Sequence, residues 1–375
     1  MCSIENPVKS SRNDSPCDDA EQFERDGVVA ESDSTPINPF SFSSLYDSMM
    51  RCKKGVMWKQ SVISFFMNGI TRCLKMENDF INNTYKASDT KFFKIYKPKE
   101  REIISTTFKD RIPQRSVNDL VLYPVMTKSF IYDNCACQKG KGTDFARNRL
   151  KCFMQRYYRK YGTEGWVLQC DIKGYYKNIS HDLVNEMFKS KLSGQVQSFV
   201  LYTLSNQYKG SCGYNAGSQM VQILGISFLN KLDHFIKENL KIKYYLRYMD
   251  DFVLIHNDKA VLENAFTEIK DELSKIGLSL NPKKSRIYKL EDGIDFLGFI
   301  FRLNQSGSIW VRVRSSNVKE AKRRLRKLVT SAKKGLRTKE SVDLGFTCWK
   351  AHASKGNSYH LIKRMELFYE GLWND

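Results

Sequence analysis

Three acidic residues in apolar surroundings are the part of the sequence best suited to chemistry. Asp171 ends a short apolar run that begins at Trp166, and Asp250 and Asp251 lie between two runs of aromatic and β-branched residues. A carboxylate in such a run is costly to bury unless it is paired or binds a metal ion. We therefore expect these acids to share a compensating partner.

Divalent cations are the partner that this set of residues favours. If Asp171 lies beside the other two acids, mutual repulsion would raise their pKa values unless cations neutralised the cluster. Oxygen ligands favour Mg²⁺, with Mn²⁺ as the alternative. Two such ions about 4 Å apart would activate a hydroxyl and stabilise a leaving pyrophosphate. The acids therefore predict a nucleotidyl-transfer site.

The elements that must position these acids can be predicted from the same pattern. Trp166–Asp171 is predicted to be a buried strand with its acid at the end. Tyr244–Tyr248 and Phe252–Ile255 predict a hairpin with Asp250 and Asp251 at its tip. No glycine relieves that turn, so we expect backbone strain there.

Helices alternate with these strands. Ser180 is predicted to cap one helix, a second carries apolar residues at helical spacing over Leu224–Ile236, and a third runs from Asp258 to Gly277. Two further strands are predicted at Ser285–Leu290 and Ile294–Phe301. The order strand, helix, hairpin, helix, strand predicts an α+β fold in which helices cover one face of an antiparallel sheet, a split βαβ arrangement.

Charge is the strongest compositional signal. The formal net charge is +20, although residues 1–40 carry nine acids against three bases. This acidic N-terminal segment predicts a disordered tail. The body is correspondingly more basic, and Val318–Lys339 predicts a basic amphipathic helix, so a polyanionic partner is indicated. The N-terminus is polar and no stretch has the roughly 20 apolar residues that span a bilayer, so a cytoplasmic protein without a membrane partner is expected.

Together these segments resemble a known family, the reverse transcriptases of bacterial retroelements and defence systems. They are similar to those of group II introns and diversity-generating retroelements, from about Phe42 to the C-terminus. The resemblance implies a right-hand polymerase with fingers, palm and thumb. It is carried by RYMDDFVLI (Arg247–Ile255), DIKGYYKNIS (Asp171–Ser180), LNKLDHFIK (Leu229–Lys237), and REI with a following KDR (Arg101–Arg111).

The resemblance implies roles for the residues around the acids. Asp171 and Asp250 would bind both metal ions, Asp251 would assist, and Ile172 would lend its backbone carbonyl. Tyr176 would be the gate that clashes with a ribose 2′-hydroxyl and so selects deoxynucleotides.

Basic residues would serve the triphosphate. Lys284, or its neighbour Lys283, would donate a proton to pyrophosphate. Arg101 with Lys99 would clamp the β and γ phosphates, since guanidinium geometry suits bidentate contact. The segment Asp295–Phe301 resembles a primer grip and is equally well explained as a core strand.

One segment departs from the family pattern. Where many relatives have Leu-Pro-Gln-Gly, this chain has Tyr214–Gly217, and Ala216 cannot reach an incoming sugar as a glutamine could. Gly217 and Gln222 keep the remaining nucleotide-binding positions, but Val221 departs from the Ser-Gln pair of relatives. Relaxed nucleotide selection is therefore our hypothesis.

The expected organisation is a disordered acidic tail (1–40), fingers (41–165), a palm (166–305) with a fingers insertion around 182–240, and a thumb (306–375). No endonuclease or ribonuclease H domain is expected. An antiphage-defence role is therefore favoured; the alternatives are a diversity-generating role, which the segment His352–Tyr359 also fits, and a non-catalytic RNA-binding scaffold. The implied partners are an RNA template, nascent DNA and dNTPs, with a dedicated noncoding RNA or a second copy of the chain as further candidates.

Overall fold

The computed structural model describes residues 37–96, 100–215 and 217–374. The predicted acidic tail, Lys99 and Ala216 lie outside these ranges, apart from the last few residues of the tail. Among the described residues, no helix has both the length and the apolar character needed to cross a membrane.

Helices and one hairpin form the N-terminal region. Its elements are α1 (Phe42–Cys52), α2 (Gln60–Met67), α3 (Gly69–Ile81), β1 (Lys91–Ile95), β2 (Arg101–Ser105), α4 (Phe108–Val117), a wide helical turn (Asn118–Leu122), α5 (Tyr123–Thr127) and α6 (Thr143–Tyr161). Strands β1 and β2 pair antiparallel, with Lys91 opposite Ser105 and Ile95 opposite Arg101.

A four-stranded antiparallel sheet forms the centre of the fold. Its strands are β3 (Trp166–Asp171), β4 (Tyr244–Tyr248), β5 (Asp251–His256) and β6 (Arg286–Lys289), in the spatial order β4-β5-β3-β6. Between them the chain forms α7 (Tyr175–Asn178), α8 (His181–Lys189), α9 (Gly194–Gln207), α10 (Gln219–Phe228), α11 (Asn230–His234) with a wide turn (Phe235–Asn239), and α12 (Lys259–Lys275). This arrangement confirms the predicted α+β fold with an antiparallel sheet.

Alternating side chains of the sheet enter two separate cores. Leu168 and Phe252 pack against the helical layer, whereas Val167 and Val253, their neighbours in sequence, pack on the opposite face. Helix α6 contributes Tyr157 to that second core, and its ring meets Tyr244 edge to face. The prediction of helices on one face was therefore incomplete, because both faces of the sheet are covered.

The helix caps follow the sequence. Ser180 accepts a hydrogen bond from Leu183 N at the start of α8, and Asp258 accepts one from Ala260 N at the start of α12. Gly277 follows α12 with a φ of +72°. Short polar side chains are favoured at the caps that begin these helices, and glycine is favoured at the left-handed position after a helix ends.

The segment predicted as one strand at Ile294–Phe301 is a hairpin. A turn at Leu297 and Gly298, both with positive φ, separates β7 (Ile294–Phe296) from β8 (Phe299–Leu303), and β9 (Ile309–Val313) completes a second, three-stranded sheet. A run of apolar residues cannot by itself distinguish one strand from two joined by a tight turn.

Three helices close the chain: α13 (Ser315–Lys333), α14 (Lys339–Ala353) and α15 (Tyr359–Asn374). The predicted single helix Val318–Lys339 was therefore wrong at its C-terminal end. Gly335 adopts a φ of +71°, and Thr338 caps the next helix by accepting a hydrogen bond from Ser341 N. These helices pack around a core of Leu325, Val329, Val342, Phe346, Met365 and Tyr369.

Candidate active site

The three aspartates lie together at one end of the central sheet. Asp171 ends β3 directly opposite Asp251, which begins β5. The amide of Ile172 donates a hydrogen bond to the carbonyl of Asp250 at 3.2 Å, so the first acid of the hairpin also lies beside the end of β3. Residues that are 79 or more positions apart in the chain are thus held by strand register in one small region.

The hairpin turn that carries Asp250 is strained. Met249 adopts a φ of +58°, a left-handed backbone conformation that residues other than glycine and asparagine rarely take. Such a residue costs on the order of 1–3 kcal/mol and persists only when its surroundings hold it. The strain predicted from the missing glycine is present, at the residue immediately before the acids.

A buried ion pair fixes the strand that leads into this turn. Arg247 and Asp233 are both fully buried, and the guanidinium donates to the carboxylate at 2.7 Å and 2.5 Å. The same guanidinium donates to the carbonyls of Met249 at 2.9 Å and Ile226 at 3.0 Å. Arg247 therefore ties the strained turn to helices α10 and α11.

Asp171 is held by residues from the loop before β6. Lys284 Nζ lies 2.7 Å from Asp171 Oδ1, and Asn281 Nδ2 donates to Oδ2 at 3.2 Å. The amide of Asn281 donates to the Asp171 carbonyl at 2.7 Å, and the Asp171 amide donates to Ser285 Oγ at 3.2 Å. Both adjacent lysines are exposed, and Lys284 is the one that contacts an acid.

Burial disfavours the ionised form of the two hairpin acids, Asp250 and Asp251. It raises the pKa of Asp251 to about 7, with a hydrogen bond from Gln169 opposing the change and the nearby Asp171 and Asp250 adding to it. Burial also raises the pKa of Asp250, again reinforced by Asp171. A divalent cation would relieve both effects, because it compensates buried, mutually repelling carboxylates.

The donor set therefore suits Mg²⁺ or Mn²⁺, which take carboxylate and carbonyl oxygens. Over the described ranges, no group of three or more His, Cys, Asp or Glu side chains is already arranged around a common point. Asp171 contacts Lys284 and Asn281 instead. Each oxygen of the Asp171 carboxylate therefore already has one hydrogen-bond donor.

Tyr176 packs against helix α10, where its ring fills the space beside Gly225. It is half-buried, and burial raises its pKa, with smaller contributions from Cys137 and Asp250. Ile172 is buried at the end of β3. Both residues named by the family resemblance therefore lie at the acidic end of the sheet.

The other proposed nucleotide contacts lie further out. Arg101 is exposed at the start of β2, and Gln222 is exposed on α10. A Cβ at Gly217 would lie 3.4 Å from the carbonyl of Ile104, so the loop before α10 meets β2. A cavity of about 550 Å³ opens there and is lined by five basic side chains: Arg51, Lys54, Lys59, Arg111 and Arg115. The described residues give no direct contact between Arg101 and the acids.

A second cavity, of about 470 Å³, adjoins the acids on the side of β6. Asp171 and Asp251 line it together with Arg286, Asp295 and Arg314. Arg314 pairs with Asp295 and also donates its amide to the carbonyl of Gly298, at the turn between β7 and β8. The segment compared with a primer grip therefore has one side facing the acids.

Several supporting residues were not predicted from the sequence. Asn281, Gln169 and the pairing of Arg247 with Asp233 depend on contacts between distant segments. A partial signal was present, since Arg247 lies three positions before Asp250 and an arginine in an otherwise apolar strand requires a buried acid. Nothing in the sequence indicated which acid that would be.

Part of the chain matches a known protein family. Residues 94–301 match the family described as reverse transcriptase (RNA-dependent DNA polymerase). No protein of curated function matches the chain. Among solved structures, apo telomerase from Candida tropicalis truncated from its C-terminal domain is 17% identical, with 59% of this chain and 54% of that chain covered at a TM-score of 0.47.

Another telomerase structure gives a similar comparison. Telomerase from Candida albicans in complex with a fragment of telomeric RNA is 14% identical, with 63% of this chain and 49% of that chain covered at a TM-score of 0.47. The chain thus spans about half the length of these proteins. The family match covers more than half of the chain, including all four strands of the central sheet and all three aspartates. The chain belongs to the reverse transcriptase family.

Proposed function

We propose that this chain is an RNA-directed DNA polymerase whose active site is the acidic end of the central sheet. The observation that carries the proposal is the direct pairing of Asp171 with Asp251, with Asp250 hydrogen-bonded to the residue after Asp171. Carboxylates placed in this way, with the pKa values of Asp250 and Asp251 raised by burial, suit phosphoryl transfer assisted by metal ions. The match to the family supports the same activity.

The acids would hold the cofactor. Asp171, Asp250 and Asp251, with the Ile172 carbonyl, would bind two Mg²⁺ or Mn²⁺ ions, and bound ions would activate a primer 3′-hydroxyl and stabilise the leaving pyrophosphate. Lys284 would leave Asp171 and donate a proton to that pyrophosphate. Arg101, with Lys99, would contact the incoming triphosphate.

The surrounding regions would have the roles of a right-hand polymerase. We assign residues 41–165 to fingers, 166–305 to a palm with a fingers insertion around 182–240, and 306–375 to a thumb. The exposed basic side chains of α13 would contact the phosphates of template and primer. The five basic residues that line the cavity beside Gly217 add positive charge to the proposed fingers.

A primer-extension experiment tests the activity against the scaffold alternative. A DNA primer annealed to an RNA template is incubated with dNTPs and Mg²⁺, and binding of the duplex is measured in parallel. The wild type should extend the primer, whereas Asp250→Asn should bind but not extend. Asp258→Asn is the matched control, because this acid caps α12 and asparagine caps a helix equally well.

Two outcomes would count against the proposal. Extension by Asp250→Asn at the wild-type rate would remove Asp250 from the chemistry. Tight RNA binding without synthesis by the wild type would favour the non-catalytic scaffold.

For the biological role, we propose antiphage defence, on the motifs shared with defence-associated reverse transcriptases. Bacteria expressing the wild type should resist phage infection, and those expressing Asp250→Asn should not. If neither protects, and if the DNA products carry a high substitution rate against a known template, the diversity-generating role is favoured instead.

A further inference from the structure

Tyr176 rests directly on a glycine of helix α10. A Cβ built on Gly225 would lie 2.6 Å from the Tyr176 hydroxyl oxygen and 2.9 Å from both Cε1 and Cζ of the ring. Real Cβ atoms essentially never approach other heavy atoms this closely. The ring therefore occupies the space that any other residue at position 225 would need.

Backbone conformation does not require this glycine. Gly225 lies inside α10, where a glycine is less favourable than alanine by about 0.5–1 kcal/mol, and its φ is not in the left-handed region. Contact with Tyr176 is the feature of its surroundings that a larger side chain would disturb. Packing of the Tyr176 ring therefore explains why position 225 is a glycine.

The backbones on both sides of this contact are fixed. The hydroxyl of Tyr175 donates to the carbonyl of Gly225, and Arg247 Nη2 donates to the next carbonyl, that of Ile226, at 3.0 Å. On the other side, the amide of Tyr214 donates to the carbonyl of Tyr176 at 2.7 Å. If a methyl group were added at Gly225, the Tyr176 ring would have to move rather than either backbone.

Such a movement would be away from the helix, because the added methyl group would occupy the α10 side of the ring. Its hydroxyl is buried and has no hydrogen-bond partner among the described residues, so no bond fixes the tip of the side chain. Tyr176 follows Asp171 by five residues, and the end of the Asp171 strand lies beside Asp250 and Asp251. A ring displaced from α10 would therefore change the space at this end of the sheet.

We propose that Gly225 is a positioning residue for sugar selection, because the absence of a side chain there sets how closely the Tyr176 ring packs against α10. This inference rests on the proposed polymerase function and on the role of Tyr176 as the gate for the incoming sugar. With glycine at 225 the hydroxyl end of the ring packs directly against α10 and leaves space for a deoxyribose. With alanine the ring advances and the space shrinks, so the ribonucleotide is excluded more strongly than the deoxynucleotide.

The test measures kcat and KM for one dNTP and its matching rNTP on the same primer and RNA template. Gly225→Ala should raise the KM for the dNTP about fivefold and increase the preference for dNTP over rNTP about tenfold, with a smaller change in kcat. Tyr176→Ala should lower that preference. In the Tyr176→Ala background, adding Gly225→Ala should change the preference by less than about twofold, since the ring is gone.

Two controls separate this effect from general damage. Gly345→Ala, in α14, adds a methyl group where nothing lies within 4 Å and should change neither constant. If Gly225→Ala does not fold, Tyr176→Phe with Gly225→Ala is compared with Tyr176→Phe alone, because removing the hydroxyl removes the closest contact. In that comparison the preference for dNTP over rNTP should rise again, but by less than in the wild-type background.

The proposal is overturned if Gly225→Ala leaves the preference unchanged while Tyr176 is present. It is also overturned if the change is equally large with and without the Tyr176 ring. A wild type that incorporates no nucleotide would instead reject the proposed function itself, so the two failures can be told apart.

Discussion

Arg247 and Asp233 form an ion pair with no exposed surface on either side chain, and that pair supports the turn that carries Asp250 and Asp251. The hydroxyl of Tyr245 donates a further hydrogen bond to Asp233 at 2.6 Å. A buried pair of this kind contributes modestly to stability when it is complete. Removal of one partner is costly, because the other charge is left buried without compensation.

We predict that Arg247→Met lowers the free energy of unfolding by about 3–5 kcal/mol, as Asp233 would lose its counter-charge. Urea denaturation measures the change. The double variant Arg247→Met with Asp233→Leu should recover part of the loss. A suitable control is Glu320→Gln, which breaks an exposed pair with Arg323 and should change stability by less than about 1 kcal/mol. Equal losses for the buried and exposed pairs would contradict the prediction.

Lys284 is expected to act on the reaction more than on stability. We predict that Lys284→Met lowers kcat by about 10²-fold or more, the usual size of a general-acid contribution, with little change in the KM for dNTP. Lys283→Met is the matched control and should retain most of the wild-type kcat, since Lys283 does not contact an acid in the described structure. A larger loss for Lys283→Met than for Lys284→Met would reverse the assignment.

The basic face of α13 is expected to contribute to nucleic-acid affinity through phosphate contacts. Arg324 and Lys327 are exposed on this face. Replacing both by glutamine should reduce the slope of log K against log salt concentration by roughly 1–2, with no loss of kcat at saturating template. Lys259→Gln, whose ammonium pairs with Glu263 on α12, is the control. An unchanged slope would show that this face does not contact the duplex.

His234 should make stability depend on pH. Its two ring nitrogens lie 2.6 Å from Glu238 Oε1 and 2.7 Å from the Ser129 carbonyl, and both contacts raise its pKa above 6.5. Because the folded pKa is the higher one, the stabilisation is fully present below about 6.5 and is lost as pH rises through the folded value.

Thermal or urea denaturation across pH 5–9 tests this, with an expected size below about 1 kcal/mol because the ring is partly exposed. Asp251, whose folded pKa is also raised, loses stability over the same pH range and contributes to the wild-type curve. Glu238→Gln should shrink the part of the pH dependence that His234 contributes, and His234→Gln should remove that part and leave the part from Asp251. A wild-type curve that gains stability as pH rises over this interval would have the wrong sign.

Local features of the sequence predicted much of the fold. The strand ending in Asp171, the hairpin around Asp250 and the caps at Ser180 and Asp258 are all set by short-range patterns of apolar, acidic and capping residues. The left-handed residue at the hairpin tip also followed from the sequence, since no glycine was available there.

Other features depend on tertiary contacts that no local pattern contains. The turn at Leu297 and Gly298 interrupts an apolar run that looks continuous, and Gly335 ends α13 within a basic segment that looks helical. The contact between Tyr176 and Gly225 joins residues 49 positions apart, so neither residue alone predicts that contact. Such relationships arise from packing, where a missing Cβ in one element makes room for a ring in another.

The most direct test of the account is the rate of single-nucleotide addition to a primer on an RNA template, measured as the Mg²⁺ concentration is varied. The wild type should show synthesis that requires the metal and stops with a chelator. Asp171→Asn should be slower by about 10³-fold or more at every concentration, because a ligand from the strand opposite Asp251 is lost. Metal-independent addition, or addition by Asp171→Asn at the wild-type rate, would contradict the assignment of the acidic end of the sheet as a polymerase active site.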